Sequence, residues 1–262
     1  MAERKTWAPG SWCWPEIAAA DLARAKGFYG ELLGWDLRDV PGGFYTIAER
    51  KGKAVAGLYA LSADQRGKGV PPHWLSYVRV ASADATLAKA TGLGAKTLAP
   101  PFDVPGVGRM AVLEDPTGAC FALWEAKGHE GSGLVDEPGA PCWYELMTPD
   151  TGKAKAFYPA LFGWTVKESS IPTSSGGPYV EFFNGKDMAC GMMATPKELL
   201  GRVPPHWLPY VAVEDCDSTA KRCAELGGAV NHPPTAIPGV GRFAVLSAPD
   251  GGTFGAIRLG VR

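Results

Sequence analysis

The chain says the same thing twice, and that repetition narrows its fold more than any other feature. CWPEIAAADLARAKGFYGELLGW at 13–35 returns as CWYELMTPDTGKAKAFYPALFGW at 142–164, an offset of 129. PPHWLSYVRV at 71–80 returns as PPHWLPYVAV at 204–213, and PGVGRMAVLEDPTG at 105–118 as PGVGRFAVLSAPDG at 238–251, both offset by 133. Self-similarity on this scale means a supersecondary assembly built twice. The change of offset requires a net insertion between the blocks, and the Ser/Gly-rich stretch 169–178 is its expected home. Two domains follow, at 8–127 and 139–262. A Gly-, Pro- and acid-rich linker at 128–141 joins them, of the composition that boundaries favour.

A weaker symmetry runs inside each copy. Residues 12–20 read as a strand, after which Asp21 caps a helix over 22–33, its carboxylate taking up amide groups the helix leaves unpaired. Leu22, Ala25, Phe28, Tyr29 and Leu32 recur at helical spacing, so one face is apolar. Gly34 supplies the left-handed stop. Three strands follow, at 35–38, 44–49 and 54–61, separated by glycine-containing turns. The rest of the copy repeats the plan: strand 73–80, helix 84–93, and strands near 96–98, 109–114 and 120–125. The chain therefore contains four βαβββ units, an α+β architecture.

Twenty-six basic residues stand against 27 acidic ones, without a basic block. This excludes the electrostatic footprint of a nucleic-acid partner. No window approaches the length of a membrane span, and the charged N-terminus lacks the apolar run of a secretory signal. The six cysteines include no C-x-x-C pair and read as free thiols in a reducing cytoplasm. The expected partner is a small molecule, with the chain a monomer or homodimer.

The helix motif D-x-x-x-A-x-x-F-Y-x-x-L-x-G-W, with D-P-x-G or its variant before each copy's last strand, resembles the vicinal oxygen chelate superfamily. That superfamily contains glyoxalase I, bleomycin-resistance proteins and extradiol dioxygenases. The W-x-E-L/I start and the VGR hairpin are similar to a two-copy bacterial subgroup labelled glyoxalase-like or hydroxylase. The resemblance covers roughly residues 10–260 and implies tandem glyoxalase/bleomycin-resistance/dioxygenase-type domains with cupped sheets. It also implies that chemically active members hold one divalent metal through His and Glu, as a Lewis acid for a chelating substrate.

Carried residue by residue onto this chain, those ligand positions fall on Trp14 and Trp143, on Leu75 and Leu208, and on Ala122 and Gly255. Segment 54–61 contains no His, Asp or Glu, and 185–195 only Asp187. Indole and aliphatic side chains bind no cation of this kind, so no metal cofactor is expected at the inherited positions. The resemblance then points to the metal-free, compound-binding branch. A divalent metal retains one route, a relocated site of Glu16 with His73 or Glu145 with His206. Such a site would make the protein a glyoxalase-like lyase or a dioxygenase/hydroxylase.

Strand alternation places Glu16 on the face of Trp14, and Glu145 on that of Trp143. His73 and His206 likewise share faces with Leu75 and Leu208, near Tyr77 and Tyr210. The candidate ligand-binding set is therefore Trp14, Glu16, His73, Tyr77, Arg109, Trp143, Glu145, His206, Tyr210 and Arg242. Glu16 and Glu145 are the catalytic candidates. A buried carboxylate is costly without a partner, so each is expected either to pair with Arg109 or Arg242 or to become a general base of raised pKa. The arginines could instead grip a ligand carboxylate. The two histidines could merely bond a backbone carbonyl. Trp35 and Trp164 are expected to plug the core, and Trp14 and Trp143 to line the cups.

Overall fold

The first copy runs β1 (Trp12–Ala19), α1 (Leu22–Leu33), β2 (Asp36–Asp39), β3 (Thr46–Arg50), β4 (Lys53–Ala60) and a short α2 (Ala63–Gly67). It continues with β5 (His73–Arg79), α3 (Ala83–Gly92), β6 (Lys96–Val104), β7 (Gly108–Glu114) and β8 (Cys120–Ala126). The second copy repeats the order. Its first half is β9 (Pro141–Thr148), α4 (Thr151–Phe162), β10 (Thr165–Ser169), β11 (Tyr179–Asn184) and β12 (Asp187–Ala194). A single 3₁₀ turn, Lys197–Leu199, leads to β13 (His206–Ala212), α5 (Cys216–Glu225), β14 (Ala229–Ile237), β15 (Gly241–Ser247) and β16 (Thr253–Leu259). This computed structural model describes residues 3–171 and 173–260.

The helix ends follow their chemistry. Asp21 accepts the amide of Arg24 at 3.0 Å and Asp150 that of Lys153 at 2.9 Å. Gly34 and Gly163 close the two helices at φ 66° and 76°. The longer β10–β11 loop, 170–178 against 40–45 for β2–β3, holds the expected insertion. Two differences from the sequence reading stand out. α2 forms on a capping box at Ser62 and Gln65 rather than on apolar periodicity. β6 runs on to Val104 through Pro100 and Pro101, which an edge strand tolerates by shifting register there.

Each copy closes its own eight-stranded sheet, ordered β2-β3-β4-β1-β5-β8-β7-β6 and β10-β11-β12-β9-β13-β16-β15-β14. At the centre β1 runs parallel to β4 and antiparallel to β5, and β9 does the same with β12 and β13. Alternation then sorts side chains onto two faces. Ile17 and Ala19 of β1 enter a core with Phe28, Tyr29 and Trp35, and that core also takes Val211, Cys216, Leu246 and Phe254 of the second copy. A second core joins Val78, Leu113 and Phe121 to Phe157, Tyr158 and Trp164. The helical faces of the two sheets are thus shared between copies, while the opposite faces form the cups.

Polar groups bridge the shared cores reciprocally. Trp35 Nε1 donates to the Gly139 carbonyl at 2.6 Å, and Trp164 Nε1 to that of Gly10 at 2.9 Å. Tyr158 donates to the buried Asp115 at 2.6 Å and accepts from Trp207 Nε1 at 2.8 Å, while Tyr29 donates to the Gly252 carbonyl. The tyrosine of each FY motif therefore meets the D-P-x-G turn, or its variant, of the other copy.

Candidate ligand cups

Across the floor of the first cup, Glu16 stands beside Gly57 on one side and Leu75 on the other, and Ile47 continues the row beyond Gly57. One row over, Trp14 pairs with Tyr77, Tyr77 with Ala122 and Ala122 with Val112. The second cup repeats this as Glu181, Gly191, Glu145 and Leu208, and as Trp143, Tyr210, Gly255 and Val245. The three positions that the resemblance assigns to metal ligands therefore do face the cup, occupied by tryptophan, leucine and alanine or glycine.

The carboxylates at the centre are held by tyrosines. Tyr77 donates to Glu16 Oε1 at 2.5 Å and Tyr45 to Oε2 at 2.8 Å, while Trp14 Nε1 donates to the Tyr45 hydroxyl at 2.9 Å. In the second cup Tyr210 donates to Glu145 Oε1 at 3.0 Å, and Trp143 Nε1 donates to the Tyr179 hydroxyl at 3.0 Å. Burial pushes both Glu carboxyls above their usual range, against the pull of the tyrosine donors.

Two glycines make the arrangement fit. A β-carbon on Gly57 would stand 1.7 Å from the Tyr45 hydroxyl, and one on Gly191 1.8 Å from that of Tyr179. Gly255 is similarly required, since a β-carbon there would meet the Tyr210 ring at 2.1 Å. Where the superfamily's last-strand glutamate is expected, a tyrosine ring lies instead.

Tyr45 and Tyr179 were absent from the sequence-derived candidates, although a signal existed. GGFY at 42–45 and GGPY at 176–179 match at an offset of 134, as do Gly57 and Gly191.

Other candidates fall elsewhere. Arg109 and Arg242 do not pair with Glu16 and Glu145. Arg109 binds Asp84 at 2.7 Å and Asp103 at 3.3 Å, and Arg242 binds Asp217 at 2.6 Å. Their positions explain this. Arg109 alternates with the cup-facing Met110 and shares the helical face with Ala111, as Arg242 does with Ala244, so both arginines meet acids on α3 and α5. His73 and His206 start their strands and bond the carbonyls of Pro71 and Pro204, each through Nδ1 at 2.8 Å. Among the described residues, no three of His, Cys, Asp or Glu gather as a metal requires. With both oxygens of Glu16 engaged by tyrosines, the donor set does not fit a divalent cation. Two cavities of about 340 and 320 Å³ lie beyond the cup floors. One adjoins Arg202 and Pro205, the other Arg50 and Ser218.

The two cups differ in their covering. The linker turns back over the first: the Ser132 amide donates to the Cys13 carbonyl at 2.7 Å and that of Gly133 to Ala54 at 2.8 Å. His129 is set edge-on to Trp14 with ring centres 4.5 Å apart, and Trp7 packs on the same cluster. Trp14 is left 4% exposed and Cys13 1%. Their counterparts in the second cup, Trp143 and Cys142, are only half-buried.

Similarity to known proteins agrees with this frame. The profile of the Glyoxalase/Bleomycin resistance protein/Dioxygenase superfamily matches residues 14–123 and again 142–255. The chain is 38% identical over 262 residues to "Putative glyoxylase CFP32" of Mycobacterium tuberculosis, covering 98% of each. It is 34% identical to the anthracycline biosynthesis protein DnrV of Streptomyces peucetius, over 97% of this chain and 94% of that one. Among solved structures, the Mn(II)-bound glyoxalase from Novosphingobium aromaticivorans shares the fold at TM-score 0.65 and 14% identity, over 98% of this chain and 83% of that one. The 2,3-dioxygenase LapB from Pseudomonas sp. KL28 does so at 0.63 and 15%, over 97% and 94%. By the doubled profile match and by relatives aligned along nearly its whole length, this chain belongs to the Glyoxalase/Bleomycin resistance protein/Dioxygenase superfamily.

Proposed function

We propose that the protein binds a small, flat aromatic molecule in its second cup and does so without a metal. The observation that carries this reading is the half-buried Trp143, backed by Tyr179 and by Tyr210 on Glu145, where the matching Trp14 lies under the chain's own linker. Aromatic rings in such a setting stack on flat molecules, at about 0.5–1.5 kcal/mol per pair beyond the area they bury. Relatives named for anthracycline biosynthesis support the choice, since anthracyclines are flat polycyclic aromatics. Unpaired thiols suit a reducing cytoplasm, and among the described residues no helix is long and apolar enough to cross a membrane.

Titration of the whole protein with a panel of flat polycyclic aromatics, followed by tryptophan fluorescence, tests the reading. Quenching that disappears in Trp143→Ala and survives in Trp14→Ala is the expected result. A panel that leaves fluorescence and melting temperature unchanged removes it. So does stoichiometric transition metal in untagged protein that is lost in Glu145→Ala.

A second reading has its own observation. Glu145, its pKa raised by burial and its carboxylate bonded by the Tyr210 hydroxyl, is equipped to move a proton on a bound carbonyl compound. Turnover of such a compound, abolished in Glu145→Gln while binding persists, identifies an enzyme.

A further inference from the structure

We infer that the second cup selects a flat aromatic molecule carrying a protonated amine, and that Glu181 is the residue that selects it. The inference rests on the proposed binding in that cup and adds the charge of the ligand. Glu181 lies between Val180 and Phe182, which are 1% and 0% exposed in the shared core, so alternation turns its side chain onto the cup face. It stands in register with Gly191, which is itself in register with Glu145. With no side chain on Gly191, the Tyr179 hydroxyl takes the space beside it, on the strand between the two carboxylates.

Glu181 is 8% exposed. Among the described residues, no hydrogen bond or ion pair reaches its carboxylate; Lys167, opposite it on the edge strand β10, is exposed and not in salt-bridge contact. Its oxygens keep contact with solvent at the cup mouth, and no described cation neutralises them. An ammonium group at the cup mouth would supply the missing partner, while the aromatic body rests on Trp143 and Tyr210. Cation–aromatic attraction from the same rings acts in the same direction. The first cup shows the contrast: its residue in this position is Ile47, packed into the apolar cluster beneath the linker. The two copies thus differ at the one floor position where a charge faces an open cup.

Binding of three probes to the full-length protein, measured by calorimetry at low and moderate salt, tests the assignment: 9-aminoacridine (a flat cation), acridone (neutral) and 9-anthracenecarboxylate (anionic). The expected order is cation, neutral, anion, with the cation about tenfold or more tighter than acridone and its advantage shrinking with salt. Glu181→Gln should erase the gap between cation and neutral while leaving acridone affinity within about twofold. Glu181→Ile, which copies the first cup's own residue and so suits the fold, should do the same. Charge discrimination that survives both variants overturns the inference, as does equal affinity for all three probes. In those outcomes aromatic binding itself still stands. Absence of binding by any probe overturns both readings together.

Discussion

Glu16 and Glu145 are 8% and 9% exposed, and each is bonded to tyrosine rather than to a cation. Neutral donors compensate a buried carboxylate only in part, so desolvation wins and the folded-state pKa lies above the ordinary 4.5. The folded protein therefore holds protons that the unfolded chain has released. The resulting stability is fully present below about pH 4.5 and is lost as pH rises through the raised values. Replacing both with glutamine removes this loss. Calorimetric melting from about pH 4.5 to 8 should show the double variant falling less steeply than the parent, His129 being intact in both; parallel curves would contradict the account. The same network makes Gly57 and Gly191 irreplaceable. Alanine at either must evict a tyrosine hydroxyl from about 1.7–1.8 Å, so each variant should lose roughly 1–3 kcal/mol in denaturant titration.

The linker across the first cup behaves as an element in its own right, though it has no regular structure. His129 is half-buried against Trp14 and Trp124, and desolvation brings its pKa down to about 4 from 6.5. Here the sign is reversed: the unfolded chain takes up the proton first, so stability is complete above about pH 6.5 and is lost as pH falls toward 4. Acidification should loosen this cover before the sheets. Protection of the amides at 129–133, corrected for the slower intrinsic exchange at low pH, should fall between about pH 6.5 and 4.5, and His129→Phe should abolish that fall. Much of the surrounding architecture was legible beforehand, because caps, stops and periodicity act locally: Asp21, Gly34 and the apolar stripe of α1 fixed that helix to the residue. Cup membership was legible only where strand parity was counted from a reliable anchor. Trp14, Glu16 and Tyr77 come from long central strands and fall on the cup floor. Arg109 and Arg242 were assigned by proximity to a motif rather than by parity, and one residue of alternation carries a side chain through the sheet. The linker's return over the cup left no local trace, since its contacts with Cys13 and Ala54 lie more than 70 residues away in sequence.

At the scale of the molecule, two sheets complete each other. α1 of the first copy packs with α5 of the second in one core, and α3 with α4 of the second adjoins the other. Each copy alone would expose the apolar helical face of an eight-stranded sheet, an area no soluble monomer leaves open. The polar bridges raise the cost further. Asp115, 2% exposed, accepts from Tyr158 across the copies, and Tyr158 in turn accepts from Trp207. Tyr158→Phe removes one donor from Asp115, whose remaining partners are Thr117 and the amide of Ala119, and strands the Trp207 indole N–H. A loss of about 1–3 kcal/mol follows from leaving such groups unsatisfied. The repeat in the sequence reads as two tandem domains, and their shared cores predict that the two unfold together. The whole chain should accordingly melt in a single calorimetric transition, with Tyr158→Phe lowering its midpoint without splitting it. Residues 8–127 expressed alone should lack a cooperative transition and bind hydrophobic dye. Two separable transitions in the intact chain, or a well-dispersed amide spectrum from that fragment, would show that the copies are stable apart. The tyrosine-to-Asp115 bridge would then be an ornament of docking rather than part of what holds the cups in shape.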